Sequence, residues 1–332
     1  MGTREHPADA AAAVVERLAT LLGHGVAPDA AWQYVAQSSR AARSGSARSG
    51  AANRRREPRM HGRRVAHILR HRVPEVPVDV QVATALRQGG SATDVLSQQP
   101  HAPWRALGAV WLLANRTGAP LGQVLRQMAA GFRDLGQSAR DVQVALAGPA
   151  SASRIVLALP VLGLLLGAAL GFDTLSIFTS SLLGGALFMA GMLLIVAGWW
   201  WNRSLVRRAT NRPQTPGLGL DLVAMGMLSG RGADEVNRAV AQVMRECGLD
   251  ESGYRQAAPI LALAAHAGVP AAALLQAEAT LARSRARTEA ASAAAKLGVT
   301  LMLPLGACIL PAFLVLGVAP LVIAVLQQAV LV

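Results

Sequence analysis

The sequence predicts an all-α membrane protein with two cytoplasmic helical-bundle domains and three transmembrane helices. Hydrophobic residues make up 52% of the chain and charged residues only 15%, a balance that is too apolar for an ordinary soluble enzyme. Three long segments contain no charged side chain, and apolar residues recur at helical spacing in the polar segments that separate them. Buried helices of a soluble protein are the alternative, which three uncharged runs of this length disfavour.

The predicted spans are residues 155–172, 177–201 and 297–327. A helix needs about 20 mainly apolar residues to cross the hydrocarbon core of a bilayer, and each segment is close to or above that length. The connector between the first two spans is short, so they are predicted to form a helical hairpin. Pro304 and Pro311 interrupt the third segment and predict a kinked helix that packs against other helices rather than a lone anchor.

Basic residues at the ends of the spans predict their orientation. Arg154 precedes the first span, Arg203 follows the second and Lys296 precedes the third, whereas the 173–176 connector carries no basic residue. Because Arg and Lys beside a span are retained on the cytoplasmic side, both large polar segments and the N-terminus are predicted to be cytoplasmic. The sequence therefore indicates a multi-pass protein of the cell (inner or plasma) membrane.

The polar segments are predicted to be short helices joined at glycines. Apolar residues at helical spacing are interrupted at 23–25, 89–90 and 230–232, and glycines occur at each break. The predicted first domain comprises residues 1–39 and 78–154, and residues 213–296 form a second, shorter domain. Residues 40–77 are an Arg-rich insert in the first domain.

A self-match relates the two polar segments. ANRTGAPLGQVLRQMAAGFR, from Ala114, aligns without gaps to AAHAGVPAAALLQAEATLAR, from Ala264. The alignment predicts structural turns at four corresponding positions and also pairs Arg133 with Arg283. These turn residues are Gly118, Pro120, Gly268 and Pro270. Each copy then leads through a long Ala- and Arg-rich stretch into a predicted span, which indicates a tandem repeat.

The Arg-rich insert is predicted to be a flexible linker. Between Arg40 and Arg72, arginines alternate with Ser, Gly and Ala, and Glu57 is the only acid. Such low hydrophobicity with high net charge is typical of disordered segments. A linker that touches anionic lipid is the favoured interpretation. Nucleic-acid binding is the alternative, but no aromatic residue for base stacking occurs between Tyr34 and Trp104, so we expect no nucleic-acid partner.

Motifs of common enzyme classes are missing from the sequence. There is no phosphate loop, HExxH, GxSxG or dinucleotide-binding GxGxxG, so we expect no catalytic residue, no cofactor and no metal site. Glycines at helical spacing predict close helix packing in the membrane; they are Gly163, Gly167, Gly171, Gly184, Gly191 and Gly198. Acidic residues after the glycine breaks, with arginines beside the breaks, are candidates for contacts with a cytoplasmic partner; they are Asp94, Asp234, Glu235, Arg87 and Arg231.

Two segments carry a resemblance to a known family. LLANRTGAPLGQVLRQMA leads towards the first span, and LPLGACILPAFLVLGVAP forms the proline-bearing tail. Together with the repeated helix, glycine, helix units, they resemble the type II secretion system F family, and in particular the platform proteins of tight-adherence (Flp-type) pilus systems. The resemblance covers the chain from about Val14 onward, apart from the Arg-rich insert.

The resemblance implies a non-enzymatic platform in the inner membrane with F-type tandem repeats. Such a platform couples a cytoplasmic secretion ATPase to the insertion or extraction of pilin-like subunits, and its partners include a second platform subunit or further copies of itself. A small-molecule transporter or channel is the alternative from another class, but it would need ionisable residues inside the spans, and none occurs there. A membrane-tethered nucleic-acid binder acting through the Arg-rich insert is the other alternative.

Overall fold

The structure is a computed structural model that describes residues 7–54, 76–142, 144, 182–210, 215–251, 253–319 and 322. These residues are mostly helical, and no strand occurs among them. They belong to two compact units. Unit 1 is drawn from Met1–Gln137 and Pro213–Ala286, and unit 2 from Ser138–Arg212 and Arg287–Val332. The all-helical class predicted from the sequence is thus confirmed for this part of the chain.

The helices are numbered in chain order. They are α1 (Pro7–Gly23), α2 (Pro28–Arg54), α3 (Val78–Arg87), α4 (Ala92–Ser97), α5 (Ala102–Thr117), α6 (121–142), α7 (Leu182–Thr210), α8 (Leu218–Met227), α9 (Ala233–Glu246), α10 (Ala257–Ala267) and α11 (Ala271–Thr300). A short 3₁₀ turn, Tyr254–Gln256, precedes α10. The boundary between the two units falls inside α6 and again inside α11.

The predicted glycine breaks lie between helices. Gly25, Gly89 and Gly230 have φ values of 84°, 79° and 77°, in the left-handed region that glycine adopts without a Cβ penalty. Each follows the end of a helix, and each backbone N–H bonds a carbonyl in the preceding turn, as in common helix C-caps. The helix, glycine, helix units predicted from the sequence are therefore confirmed at all three positions.

The main hydrophobic core of unit 1 includes side chains from both polar segments. Leu18, Trp32 and Leu107 from the first segment and Leu222 and Leu275 from the second are fully buried in it. The sequence predicts two domains, whereas the described residues of both segments pack together. The two segments pack together because α8 is apolar on nearly every side, and such a helix must be buried all round. Elements of the second segment, chiefly α9 and the 3₁₀ turn, cover part of α8, and α5 of the first segment covers another part.

The helix α2 is longer than the sequence pattern predicts. It continues to Arg54, so residues 40–54 of the predicted flexible insert are helical. Ala and Arg are among the strongest helix formers, and here that local preference outweighs the low hydrophobicity. Residues 55–75 of the insert lie outside the described residues.

Among the residues that the structure describes, two helical segments are long and apolar enough to cross a membrane. They are Gly184–Leu205, within α7, and Ala271–Val318, which includes the predicted third span up to Val318. The predicted first span, 155–172, and the start of the second, 177–181, lie outside the described residues. Large apolar side chains on α7 are exposed in unit 2, among them Met189, Leu193 and Trp200, as expected for a helix that faces lipid rather than a protein core.

The C-terminal tail (301–319) is an irregular helix. It alternates α and π turns as Met302–Pro304, Leu305–Ile309 (π), Leu310–Phe313 and Leu314–Val318 (π). A proline ring crowds the carbonyl four residues before it and offers no N–H to that carbonyl. The carbonyl four residues before Pro304 belongs to Thr300, where α11 ends, and the one four residues before Pro311 belongs to Ala307, inside the first π turn. The prolines therefore account for two of these interruptions.

Candidate functional site

The helix α5 lies at the junction of the two polar segments in unit 1. It packs against α1 and α4 from its own segment and against α8 and α9 from the other. A Cβ at Gly108 would lie 3.0 Å from the Cβ of Leu96, so glycine permits the close contact between α4 and α5. On another side, the Trp111 ring packs against Trp32 with centroids 5.6 Å apart. Twelve of the sixteen residues of α5 are buried as a result of this packing.

An ion pair joins the C-terminal end of α5 to α9, and a hydrogen bond joins it to Arg231 just before α9. The Arg116 guanidinium lies 2.8 Å from Oε2 of Glu246, and Gln242 donates to the same carboxylate at 2.9 Å. Arg231 donates to the main-chain carbonyl of Arg116 at 3.1 Å and also pairs with Glu235. That carbonyl is in the last turn of α5, where helix carbonyls have no intrahelical partner and the dipole favours cations. These contacts lie where the two polar segments meet.

The five predicted partner contacts therefore lie in different surroundings. Arg231 and Glu235 bind each other, and Arg231 also contacts α5. Asp94 and Asp234 are exposed in the first turns of α4 and α9, and Arg87 is exposed while its Nε donates to a carbonyl of its own helix. Exposed carboxylates at two helix starts remain available to a partner. Their role in binding a partner stays a prediction.

The first turn of α4 is capped by its own sequence. The Oγ of Ser91 accepts a hydrogen bond from the backbone N–H of Thr93 at 3.2 Å, so Ser91 is the N-cap of this helix. A cap of this kind satisfies one of the four free N–H groups at a helix start. The cap stabilises the backbone of the first turn of α4, which carries Asp94.

The matched glycine and proline positions have the same local structure. Gly118 ends α5 with φ 72° and Gly268 ends α10 with φ 64°. Each donates its N–H to the carbonyl four residues earlier. Pro120 and Pro270 each directly precede the next helix, where the fixed φ of proline suits a helix start. The predicted turns are therefore present in both copies.

The matched arginines make corresponding ion pairs. Arg133 in α6 pairs with Glu16 of α1, and both side chains are about half exposed. Arg283 in α11 lies 2.5 Å from Oδ2 of Asp221 in α8, and these two side chains are only 16% and 15% exposed. In each copy, then, the arginine of the long helix binds an acid on the first helix of its own polar segment. Only the second pair is buried.

The buried pair lies at a groove between the two polar segments. The walls of the groove are mainly apolar, and Gly131 of α6 lies against the stem of Arg283; the other lining residues include Val110, Met128, Phe132, Leu135 and Leu218. Burial raises the pKa of Asp221 to about 6, although Arg283 lowers it. Its Oδ1 is buried with no hydrogen-bond partner among the protein atoms described.

Sequence patterns did not single out Asp221 as a site residue. In the sequence, Arg283 stands out only as the counterpart of Arg133, and no pattern marks Arg116 or Glu246. One signal was available, because Asp221 is the only charge in LGLDLVAMGM and a charge in a helix apolar on all sides needs a buried partner. The identity of that partner depends on tertiary packing, which the sequence pattern does not contain.

The second copy exposes an apolar surface that is covered in the first. Leu113 in α5 is fully buried, whereas its counterpart Leu263 in α10 is 57% exposed. Ala119 and its counterpart Val269 differ in the same way. The first copy covers α5 with α1 and α4, but among the described residues between α9 and α10 there is only the 3₁₀ turn. The shorter second segment thus leaves one helix face without a cover.

Two of the predicted membrane glycines lie against the tail in unit 2. Gly191 is buried against the side chain of Leu316, and a Cβ at Gly198 would lie 3.1 Å from the Cβ of Cys308. Gly184 is also buried. Bare backbone at these positions lets α7 and the tail approach closely. The other three predicted packing glycines, Gly163, Gly167 and Gly171, lie outside the described residues.

Replacing Gly198 with cysteine tests this packing. We expect Gly198→Cys to form a disulfide with the native Cys308 on mild oxidation, because Cβ atoms of a disulfide lie about 3.5–4.5 Å apart and a small shift brings these two into range. Peptide mass spectrometry of the oxidised protein reads out the bond. Gly191→Cys is the matched control, since it lies against Leu316 instead; a bond in the control and none at 198 would contradict this arrangement.

The fold and the site together define a class of protein. Its described residues are α-helical, with two candidate membrane-spanning helices and a unit of short helices drawn from two polar segments. Within the part of the chain that the structure describes, no group of three or more His, Cys, Asp or Glu side chains could hold a metal ion. The notable features of the described residues are the exposed helix starts, the exposed apolar face of α10 and the contacts between helices.

A family comparison narrows the class. Residues 79–168 match the family described as type II secretion system (T2SS), protein F. The match begins in α3, includes α4 to α6 and ends inside the predicted first span, and it supports the type II secretion system F family. This domain is found in platform proteins of secretion and pilus assembly, and with the two apolar helices it suggests an inner-membrane protein. No curated protein and no solved structure is significantly similar to the chain.

Proposed function

We propose that this chain is a platform protein of a type II secretion or tight-adherence (Flp-type) pilus machine. In this proposal it is a non-enzymatic, multi-pass protein of the inner membrane with its N-terminus in the cytoplasm. It couples a cytoplasmic secretion ATPase to the insertion or extraction of pilin-like subunits. The observation that carries the proposal is the match of residues 79–168 to protein F, and residues 79–137 of that segment belong to unit 1.

The electrostatics of the exposed helix starts support a cytoplasmic partner. Asp94 and Asp234 each occupy the first turn of a helix that follows a glycine turn. Carboxylates there are solvated and oriented by the helix, so they can pair with basic side chains of a motor without a large desolvation cost. We assign the motor contact to these turns, and to that of Asp94 first because it lies within the family match.

The exposed face of α10 supports a second partner. Its uncovered apolar side chains include Leu263 and Val269, and no Asp, Glu, Lys or Arg occurs from residue 256 to residue 277. In the first copy, the corresponding face is covered by helices. We assign this face to contact with another platform subunit, either a second copy or a related chain, because a helix supplied by that subunit would replace the missing cover.

Site-specific photo-crosslinking in the assembled machine tests both assignments. A photoreactive amino acid at position 94 is expected to give an adduct with the ATPase, and one at position 263 an adduct with a platform subunit. Mass spectrometry of the purified adducts identifies the partner. Position 29 is the matched control, because Asp29 is also an exposed acid in the first turn of a helix after a glycine turn.

Two outcomes would count against the proposal. Absence of any ATPase adduct from position 94 in an otherwise assembled complex would remove the motor contact. Equal ATPase adducts from positions 29 and 94 would show that exposed carboxylates in general, and not this turn, determine the contact.

A further inference from the structure

One side of α7 carries a continuous stripe from apolar to aromatic to basic. Met192, Val196, Trp199 and Arg203 are spaced four, three and four residues apart, so they lie on one face of the helix. The first three are 44%, 56% and 57% exposed, and Arg203 is also exposed. This face differs from the one that carries Gly191 and Gly198 and packs on the tail. It is therefore open to whatever surrounds α7.

The aromatic and basic ends of the stripe are joined by a cation–π contact. The Cζ atom of Arg203 lies 5.5 Å from the centroid of the Trp199 ring. An Arg held over an aromatic face keeps its N–H edges for other acceptors, and its planar fork matches the geometry of phosphate oxygens. Trp199 is itself an amphipathic residue of the kind that lies at the level of lipid headgroups.

The charge of this region has one sign. No Asp or Glu occurs from residue 174 to residue 220, whereas four arginines do, at 203, 207, 208 and 212. A basic segment that directly follows an apolar helix attracts the anionic lipids of the adjoining leaflet. Charge complementarity thus favours a negatively charged occupant, and the apolar part of the stripe favours one with acyl chains.

We propose that Trp199 and Arg203 form a binding site for the phosphate headgroup of an anionic phospholipid, with its acyl chains along Val196 and Met192. The phospholipid is bound within the leaflet, and the guanidinium of Arg203 donates to its phosphate oxygens. The inference rests on α7 crossing a bilayer and is independent of any role in secretion. If the ATPase contact assigned to Asp94 proves to be absent, this lipid site is not affected.

Quenching of tryptophan fluorescence by brominated lipids tests the site in the full-length protein. The protein is reconstituted in nanodiscs that contain phosphatidylcholine and phosphatidylglycerol, with bromine on the acyl chains of one lipid or of the other. Bromine quenches only tryptophans that it contacts, so the ratio of the two quenching values reports which lipid surrounds Trp199 and its neighbours. We expect wild-type protein to show about fivefold enrichment of phosphatidylglycerol, the factor that corresponds to ~1 kcal/mol for one basic residue at the surface.

Arg203→Gln is expected to reduce this selectivity to near unity, and Arg255→Gln, which removes an exposed arginine from unit 1, is expected to leave it unchanged. Equal quenching by both lipids in the wild type, or full selectivity in Arg203→Gln, would overturn the proposal.

Inorganic phosphate in the buffer distinguishes the source of the ligand. If it abolishes the selectivity where chloride of equal ionic strength does not, the site takes free phosphate and the lipid assignment is wrong.

Discussion

Arg283→Gln is expected to destabilise unit 1 by about 3 kcal/mol at neutral pH, because removing one partner of a buried ion pair leaves an uncompensated charge. The charge is that of Asp221, which is 15% exposed and has one oxygen with no hydrogen-bond partner among the described residues. Glutamine keeps most of the side-chain volume, so a lost contact rather than a cavity is tested. The measurement is denaturant unfolding of the detergent-solubilised protein, followed by the fluorescence of the buried residues Trp32, Trp104 and Trp111.

Arg133→Gln is the matched control, since Arg133 occupies the corresponding position of the first copy. Its pair with Glu16 is about half exposed, and exposed ion pairs contribute little because water and salt screen them. Hydrogen bonding and attraction to Glu16 raise the pKa of Arg133, but the group is charged at neutral pH with or without that shift. Equal destabilisation by the two substitutions would show that burial of the ion pair does not determine the cost of losing it.

The cost of Arg283→Gln should also depend on pH. In the wild type, burial raises the pKa of Asp221 from its ordinary 3.8 to about 6, so protonation of this group stabilises the fold. That contribution is fully present below about pH 3.8 and is lost as the pH rises through about 6. Removal of Arg283 raises the pKa further, because the arginine favours the ionised form. The penalty should therefore be largest above neutrality and should shrink as the pH falls through about 6; a constant penalty would point to lost packing instead.

Local features of this fold were predictable because they depend on a few neighbouring residues. Gly25, Gly89 and Gly230 end helices through a backbone conformation that glycine adopts at low cost. The cap at Ser91 follows from its hydroxyl and the N–H two residues on. The pairing of Gly118 with Gly268 also required only the aligned residues. In each case, the determining atoms lie within one or two turns of chain.

Features that depend on tertiary contacts were not predictable in the same way. Arg231 is an exposed arginine beside a glycine turn by its sequence, and only packing of α9 on α5 brings it to the carbonyl of Arg116. The helical residues 40–54 show a different difficulty, because composition typical of disorder competes there with the strong helix preference of Ala and Arg. The sequence around Arg231 thus indicates that a contact is possible, but its partner carbonyl is 115 positions away along the chain.

Replacing both Pro304 and Pro311 with alanine is expected to leave membrane insertion intact and to impair assembly of the machine. Alanine preserves the apolar character of the tail, so the free energy of insertion changes little. It also supplies the missing N–H, so the carbonyls of Thr300 and Ala307 can form regular i to i+4 bonds. A π turn holds one more residue than an α turn, and regularising it rotates everything beyond it by about 100°.

That rotation carries Leu316 away from Gly191, against which it packs. The shape of the tail, and not its hydropathy, is what the prolines determine; a helix that must fit other helices needs such a shape, whereas a simple anchor does not. Membrane extraction assays measure insertion, and the amount of assembled pilus or secreted substrate measures function. Pro28→Ala is the control, because Pro28 begins α2, where a missing N–H has no intrahelical partner to lose. Normal output from the double variant would mean that the π turns are not required, and failure to insert would mean that the prolines act on insertion instead.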